Sequence, residues 1–219
     1  PEQADTAIFY SISNAQAGLA GISFGNFLIK QVVERLSHSF PKVTTFSTLS
    51  PIPGFRGWLD RRLAEGEAGL LTQQDRKALG QAITADTGDG DAKAGATKGD
   101  FKSLIEGSDW VGSEPLTNAL KAPLTRLCAR YIVNERRPPR HEGRAATVLD
   151  PVAHFHLTNG ARVERLNWLG DRSEKGMARS AGLMVNYLYK INEIERNHEA
   201  YQGQGKVATS TAIRGLTRG

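Results

Sequence analysis

Cysteine is nearly absent from this chain of 219 residues: Cys128 is the single one. That excludes an internal disulfide and a cysteine-built zinc site, and it fits a reducing compartment, so a cytoplasmic location is expected. No apolar run approaches the ~20 residues that a membrane span needs, and no membrane partner is expected. Gly-Lys-Ser/Thr and G-x-G-x-x-G are both missing, which removes the common nucleotide-loop signatures. There is no internal repeat. Pro1 stands in mid-phrase with no secretory leader behind it, and the chain reads as a piece of a longer one, with a further N-terminal portion expected.

What is present suits one soluble domain with a sizeable core: 39% of residues are hydrophobic, and the length seldom makes more than one domain. The formal charge of +5 and a pI near 9.4 favour anionic partners, either nucleic acid or a phosphate-bearing cofactor. A merely basic surface gives the same numbers.

Along the chain, 7–13 reads as a buried strand, 14–21 as a small-residue loop and 22–39 as a helix carrying Phe24, Phe27, Leu28, Val32 and Leu36, closed by Pro41. The β-branched run 43–49 predicts a second strand. Phe55, Trp58, Leu59 and Leu63 mark one helical face. Thr72 with Asp75 has the form of a capping box, and Ser113 can cap a helix bearing Leu116, Leu120, Leu124, Leu127 and Tyr131, kinked at Pro123. Cys128 falls in that helix's apolar pattern and is expected in the core. Residues 85–100 lack any period and are expected to form a mobile loop. The segment 134–146 is a basic, proline-containing loop. Asn159-Gly160 between 152–157 and 162–168 predicts a type I′ hairpin, with His154 and His156 on one strand face and Phe155 and Leu157 on the other. Leu183, Tyr187 and Ile191 are spaced for a helix. Residues 200–219 are expected to be loosely held.

Three features could carry chemistry. The loop 14–21 joins strand to helix, where free backbone N–H groups bind phosphate, and Gly18, Gly21 and Gly25 would allow close approach. A structural turn would look the same. Ser50-Pro51-Ile52-Pro53-Gly54 is a stiff strand-end platform for a hydroxyl, or only a serine in a proline turn. His154 and His156 lack a third ligand of convincing spacing, so no metal site is expected. His156 is either a proton-transfer group or a hydrogen-bonded structural one.

Several ordered blocks resemble malonyl-CoA decarboxylase. They are Phe9-Tyr10-Ser11-Ile12-Ser13, Gln16-x-Gly18-Leu19-x-Gly21, Gly25-x-Phe27-Leu28-Ile29-Lys30, Leu49-Ser50-Pro51-Ile52-Pro53-Gly54-Phe55, Pro151-Val152-Ala153-x-Phe155-His156-Leu157-x-Asn159-Gly160-Ala161, Asn167-Trp168, and Gly182-Leu183-Met184-Val185-Asn186-Tyr187-x-Tyr189. Together they cover roughly residues 7–190. The resemblance implies an α/β (α+β) fold with a mixed twisted sheet flanked by helices, similar to the GCN5-type N-acetyltransferase fold. It implies one catalytic acyl-CoA-binding domain over 1–219, normally preceded by a helical domain and assembled as a homo-oligomer. By the same resemblance Ser50 and His156 are the catalytic pair. Ser11, the acyl-CoA stretch Ala20, Gly21, Ile22, Ser23, Phe24, Gly25 and Asn26, and Tyr187 are substrate-binding positions. Some relatives carry an acidic residue at the position of Ser23.

The implied substrate is malonyl-CoA and the product acetyl-CoA. The thioester carbonyl serves as electron sink, so no cofactor or metal beyond the substrate's own coenzyme A is expected. His156 can be protonated near neutral pH and donate to carbon, and Ser50 can hydrogen-bond the substrate carboxylate or relay a proton; sequence does not fix the split of roles between them. An N-acyltransferase of the same fold and a non-catalytic acyl-CoA-binding module are the rivals. A nucleic-acid partner is not expected, because the 136–144 loop has no aromatic residue to stack on bases.

Overall fold

The computed structural model describes residues 3–10, 25–88, 96–139 and 145–218. Its centre is a mixed sheet. β1 (Thr6–Phe9) runs parallel to β2 (Thr45–Thr48), and β2 pairs antiparallel with β7 (Met184–Tyr189). The two-residue β3 (Ser50–Pro51) pairs with the same edge of β7, and β6 (Arg162–Asn167) takes the other edge. β2 and β3 keep one common register against β7: Phe46 faces Tyr189, Ser47 faces Leu188 and Ser50 faces Val185. They are therefore one strand, interrupted at Leu49.

The interruption has a local cause. The Tyr187 N–H donates to the Thr48 side-chain Oγ1 (3.1 Å), while the Thr48 carbonyl accepts from Asn186 Nδ2 (2.5 Å). Side chains thus replace the ladder bonds that a regular pair would make there. Leu49 N–H turns instead to Phe9 on β1 (3.0 Å).

Helices flank the sheet. α1 (Gly25–Ser39) buries Ile29 and Val33. α2 (Phe55–Ala64) buries Phe55, Trp58, Leu59 and Leu63, the face expected from their spacing. α3 (Gln73–Thr87) opens on the Thr72–Asp75 capping box, both halves of which are made. α4 (Lys98–Glu106) has a second one, Thr97 with Asp100. α5 (Glu114–Val133) is capped by Ser113 and carries Pro123 within it, with Cys128 fully buried on its core side. A two-stranded ribbon, β4 (Arg136–Arg137) with β5 (Thr147–Val148), leads to α6 (Pro151–Thr158). α7 (Glu174–Ser180), α8 (Ile194–Gln204) and α9 (Thr211–Leu216) complete the order.

Four expectations need correction. The segment before Asn159-Gly160 is helix α6, not the first arm of a hairpin. Asp150 caps it, accepting from the Val152 and Ala153 N–H groups (3.0 and 2.8 Å), and Pro151 takes the first turn. Asn159-Gly160 ends that helix, with Gly160 at φ +78°. His154 and His156 therefore do not share a strand face. The segment 184–189 is the central strand β7, not a helix, and both of its faces are covered: Val185, Tyr187 and Tyr189 on one, Asn186 and Leu188 on the other. A strand buried on both sides shows no alternation to read. Within 85–100, residues 85–87 close α3 and 98–100 open α4, because Thr97 supplies a cap. The last stretch is held, not loose. Thr209 bridges Val163, Ser210 caps α9, and Ile213 is buried at 1% exposure. The N-terminal helix starts at Gly25; 11–24 lie outside the described residues.

Candidate active site

Two elements separated by more than a hundred residues bring Ser50 and His156 together. Ser50 sits in β3, directly after the break in the strand, and is 5% exposed. His156 projects from the last turn of α6 and is 3% exposed. Ser50 Oγ lies 3.1 Å from His156 Nε2, and 2.9 Å from Thr48 Oγ1. On the far side of the ring, Nδ1 lies 2.8 Å from the Tyr189 hydroxyl. Thr48, Ser50, His156 and Tyr189 thus form one hydrogen-bonded row, read across β2, β3, α6 and β7.

Packing fixes the imidazole as firmly as its hydrogen bonds do. Tyr187, two residues before Tyr189 on the same strand face, stacks on the ring with centroids 4.4 Å apart and planes 23° apart. Phe155 meets it edge-on at 5.1 Å. Burial lowers the His156 pKa from its usual 6.5 to about 3: a charged ring here would lose its water without gaining a carboxylate. The imidazole is therefore neutral at pH 7, which corrects the reading that it can be protonated there. One ring nitrogen carries the proton. Either Nδ1–H donates to Tyr189 and Ser50 donates to Nε2, or Tyr189 donates to Nδ1 and Nε2–H donates to Ser50, which in turn donates to Thr48. The second arrangement employs every hydroxyl proton from Tyr189 to Ser50.

Two buried groups flank the row. The Tyr187 hydroxyl has no hydrogen-bond partner among the described residues, although the side chain is fully buried. Burial drives the hydroxyls of Tyr187 and Tyr189 well above the usual tyrosine range, so both keep their protons. Asp150, the α6 cap, also accepts from Tyr131 (3.3 Å); burial raises its pKa, against the hydrogen bonds it accepts. The same Tyr131 hydroxyl fills the space beside Gly54, in the stiff turn after Ser50. One tyrosine of α5 thus touches both the α6 cap and the Ser50 turn.

Of the positions singled out from sequence, Ser50, His156 and Tyr187 converge. Ser11 and Ala20, Gly21, Ile22, Ser23 and Phe24 lie outside the described residues; Gly25 and Asn26 open α1. His154 points elsewhere, its Nδ1 2.8 Å from the Tyr201 hydroxyl. No group of three or more His, Cys, Asp or Glu among the described residues could hold a metal ion, and no described helix is long and apolar enough to cross a membrane. Sequence reasoning missed Thr48 and Tyr189. Both stand two residues from a named position on a strand, which the period of two would have placed on the same face.

Fold and site together define a mixed α/β domain with a buried serine–histidine–tyrosine row at the break in its central strand pair. Comparison with known proteins narrows this. The model of the malonyl-CoA decarboxylase C-terminal domain matches residues 1–219. Mitochondrial malonyl-CoA decarboxylase of Anser anser anser is 43% identical over 217 residues, and that of Mus musculus is 43% identical over 215. The alignments cover 97% and 96% of this chain, and the chain spans 40% of the length of each of those proteins. The crystal structure of malonyl-CoA decarboxylase from Rhodopseudomonas palustris matches with a TM-score of 0.79 at 44% identity, over 99% of this chain and 43% of that one. That from Agrobacterium vitis matches with 0.77 at 44% identity, over 98% and 46%. The chain belongs to the malonyl-CoA decarboxylase family, in the part that forms the C-terminal domain.

Proposed function

We propose that this domain decarboxylates malonyl-CoA to acetyl-CoA and carbon dioxide, with Ser50 and His156 as the catalytic pair. The observation that carries the reading is the 3.1 Å approach of Ser50 Oγ to His156 Nε2, backed by Tyr189 at 2.8 Å. The family and the named relatives support the reaction.

In malonyl-CoA the bond between the carboxylate carbon and the α-carbon breaks. Its electron pair enters the thioester as an enolate and carbon dioxide leaves. The α-carbon then takes one proton. No metal or organic cofactor is needed, because the carbonyl is the sink. What the protein must supply is a dry site, a hold on the carboxylate and a proton at carbon. The neutral His156 cannot act as a ready-made cation. A relay serves instead: Ser50 O–H gives its proton to carbon, Nε2–H restores Ser50, and the Tyr189 hydroxyl restores the ring through Nδ1. Tyr189 takes a proton from solvent in the same step, because burial raises its pKa well above the usual tyrosine range and opposes a tyrosinate, so no charge accumulates on the ring or the phenol. Positioned acid–base groups of this kind typically contribute about 10²–10⁴ in rate. The unpartnered Tyr187 hydroxyl, held against the imidazole, is available to donate to a substrate oxygen. Ser11 and positions 20–26 complete the proposed acyl-CoA contacts.

We also read the assembly as a homo-oligomer formed with a helical portion outside this domain, and the partners as malonyl-CoA and acetyl-CoA without nucleic acid or membrane. A cytoplasmic site rests on the single cysteine alone; "mitochondrial" belongs to the names of the animal relatives. Incubating the full chain with malonyl-CoA and following acetyl-CoA tests the reading. Stoichiometric acetyl-CoA supports it, and intact malonyl-CoA after prolonged incubation with folded protein counts against it.

A further inference from the structure

The row from Thr48 to Tyr189 uses one face of the sheet. Beyond the other face, past the Arg162 end of β6, the molecule has a concavity the proposed reaction leaves unused. A cleft of 720 Å³ lies between α8, the start of β6 and the segment leading into α9. α8 and the residue before it turn Glu193, Arg196, Asn197 and Ala200 into the cleft, the spacing of one helix face. Arg162, Lys206, Arg214 and Arg218 also line it. Arg162 and Arg214 also line a wider groove of 820 Å³ over the Ile8, Ser47 and Leu188 side of the sheet.

The charge in the cleft does not balance. Glu193, the one lining carboxylate among the described residues, is shared by Arg162 (3.8 Å), Lys190 (3.7 Å) and Arg196 (3.8 Å). Arg162 has a closer partner in Glu164 (2.6 Å). Lys206, Arg214 and Arg218 have no carboxylate within ion-pair distance among the described residues. Arg214 is nevertheless held in place, donating from Nη2 to the Thr209 carbonyl (3.3 Å). Three cations without a carboxylate partner among the described residues line one concave site, which raises the local concentration of anions. The cleft's size falls in the range of small-molecule sites, about 300–1,000 Å³. No aromatic residue among the described ones lines it, which argues against stacked bases and so against single-stranded nucleic acid.

We propose that this cleft binds a compact polyphosphate anion, a di- or triphosphate group, through Lys206, Arg214, Arg218 and Arg196. The described lining of the cleft includes none of the residues proposed to hold the acyl-CoA, nor Ser50 or His156.

The test is calorimetric titration of the full chain with tripolyphosphate at low ionic strength. One saturable site is expected, still filled when acetyl-CoA is present at saturation. Its affinity should fall about tenfold or more in the Lys206→Glu/Arg214→Glu double variant, as loss of charge-assisted hydrogen bonds implies. Lys206→Ala and Arg218→Ala, milder changes at exposed positions, should each weaken binding severalfold, and they keep the test sound should the double variant fail to fold. Unchanged affinity in the folded variants would overturn the proposal. So would displacement of tripolyphosphate by acetyl-CoA, which would assign the anion to the substrate's own phosphates, and so would the lack of a saturable site.

Discussion

His156 ties stability to pH in a direction that its burial sets. In the unfolded chain its imidazole titrates near 6.5, whereas burial holds it at about 3 in the fold. Between those values the unfolded chain binds a proton that the folded chain refuses. Stability from this residue is therefore full above about 6.5 and is lost as pH falls toward about 3. The urea midpoint should drop between pH about 7 and about 5, and it should drop less in His156→Gln. Asp150, whose pKa is raised, works in the opposite sense but is common to both proteins, so the difference between them isolates His156. Equal slopes would show that the ring is not desolvated. Tyr189 gives a second prediction at this scale. Tyr189→Phe keeps the ring but removes the hydroxyl at 2.8 Å from Nδ1. The relay then lacks its proton source, and kcat should fall about tenfold or more with KM for malonyl-CoA nearly unchanged. A rise in KM alone would make Tyr189 a binding group rather than a relay group.

α6 delivers His156, and both of its ends are built for that. At the first, Asp150 accepts two backbone N–H groups and the Tyr131 hydroxyl. At the second, Gly160 adopts φ +78° against the Ile194 carbonyl of α8, where any side chain would meet backbone. Gly160→Ala should destabilise the fold by about 1–3 kcal/mol from strain alone, visible as a lower melting temperature, and an unchanged melting temperature would refute the tight contact. This helix was also where the sequence misled. Asn-Gly suits a type I′ turn and a helix C-terminus alike, and the eight residues before it are too few to show a helical period. The decisive signal was local: Asp150-Pro151 is an N-cap followed by a first-turn proline. β7 misled for the reverse reason, since burial on both faces erased its alternation and let Leu183, Tyr187 and Ile191 mimic a helix. The capped helices α3 and α5 and the apolar face of α2 were legible because each carries its own signal within a few residues.

At the scale of the whole molecule, the site depends on long-range pairing that no local pattern encodes. β2 and β3 share one register on β7, which brings Thr48, Ser50, Tyr187 and Tyr189 to one face. Ser50 and His156 could be named only from their motifs; that one hydroxyl reaches the other's ring is a property of the assembled sheet. In the proposed reaction the thioester carbonyl is the sink, so dialysis of the full chain against a chelator should leave malonyl-CoA turnover intact, and loss of activity restored by added zinc would contradict the proposed mechanism. The central claim, that Ser50 and His156 act as one unit, is met most directly by a double-mutant cycle on kcat. Ser50→Ala and His156→Asn should each remove most of the turnover, and the double variant should lose little beyond the worse single one. Losses that multiply would contradict the account, since they would mean that the two side chains act on the substrate independently.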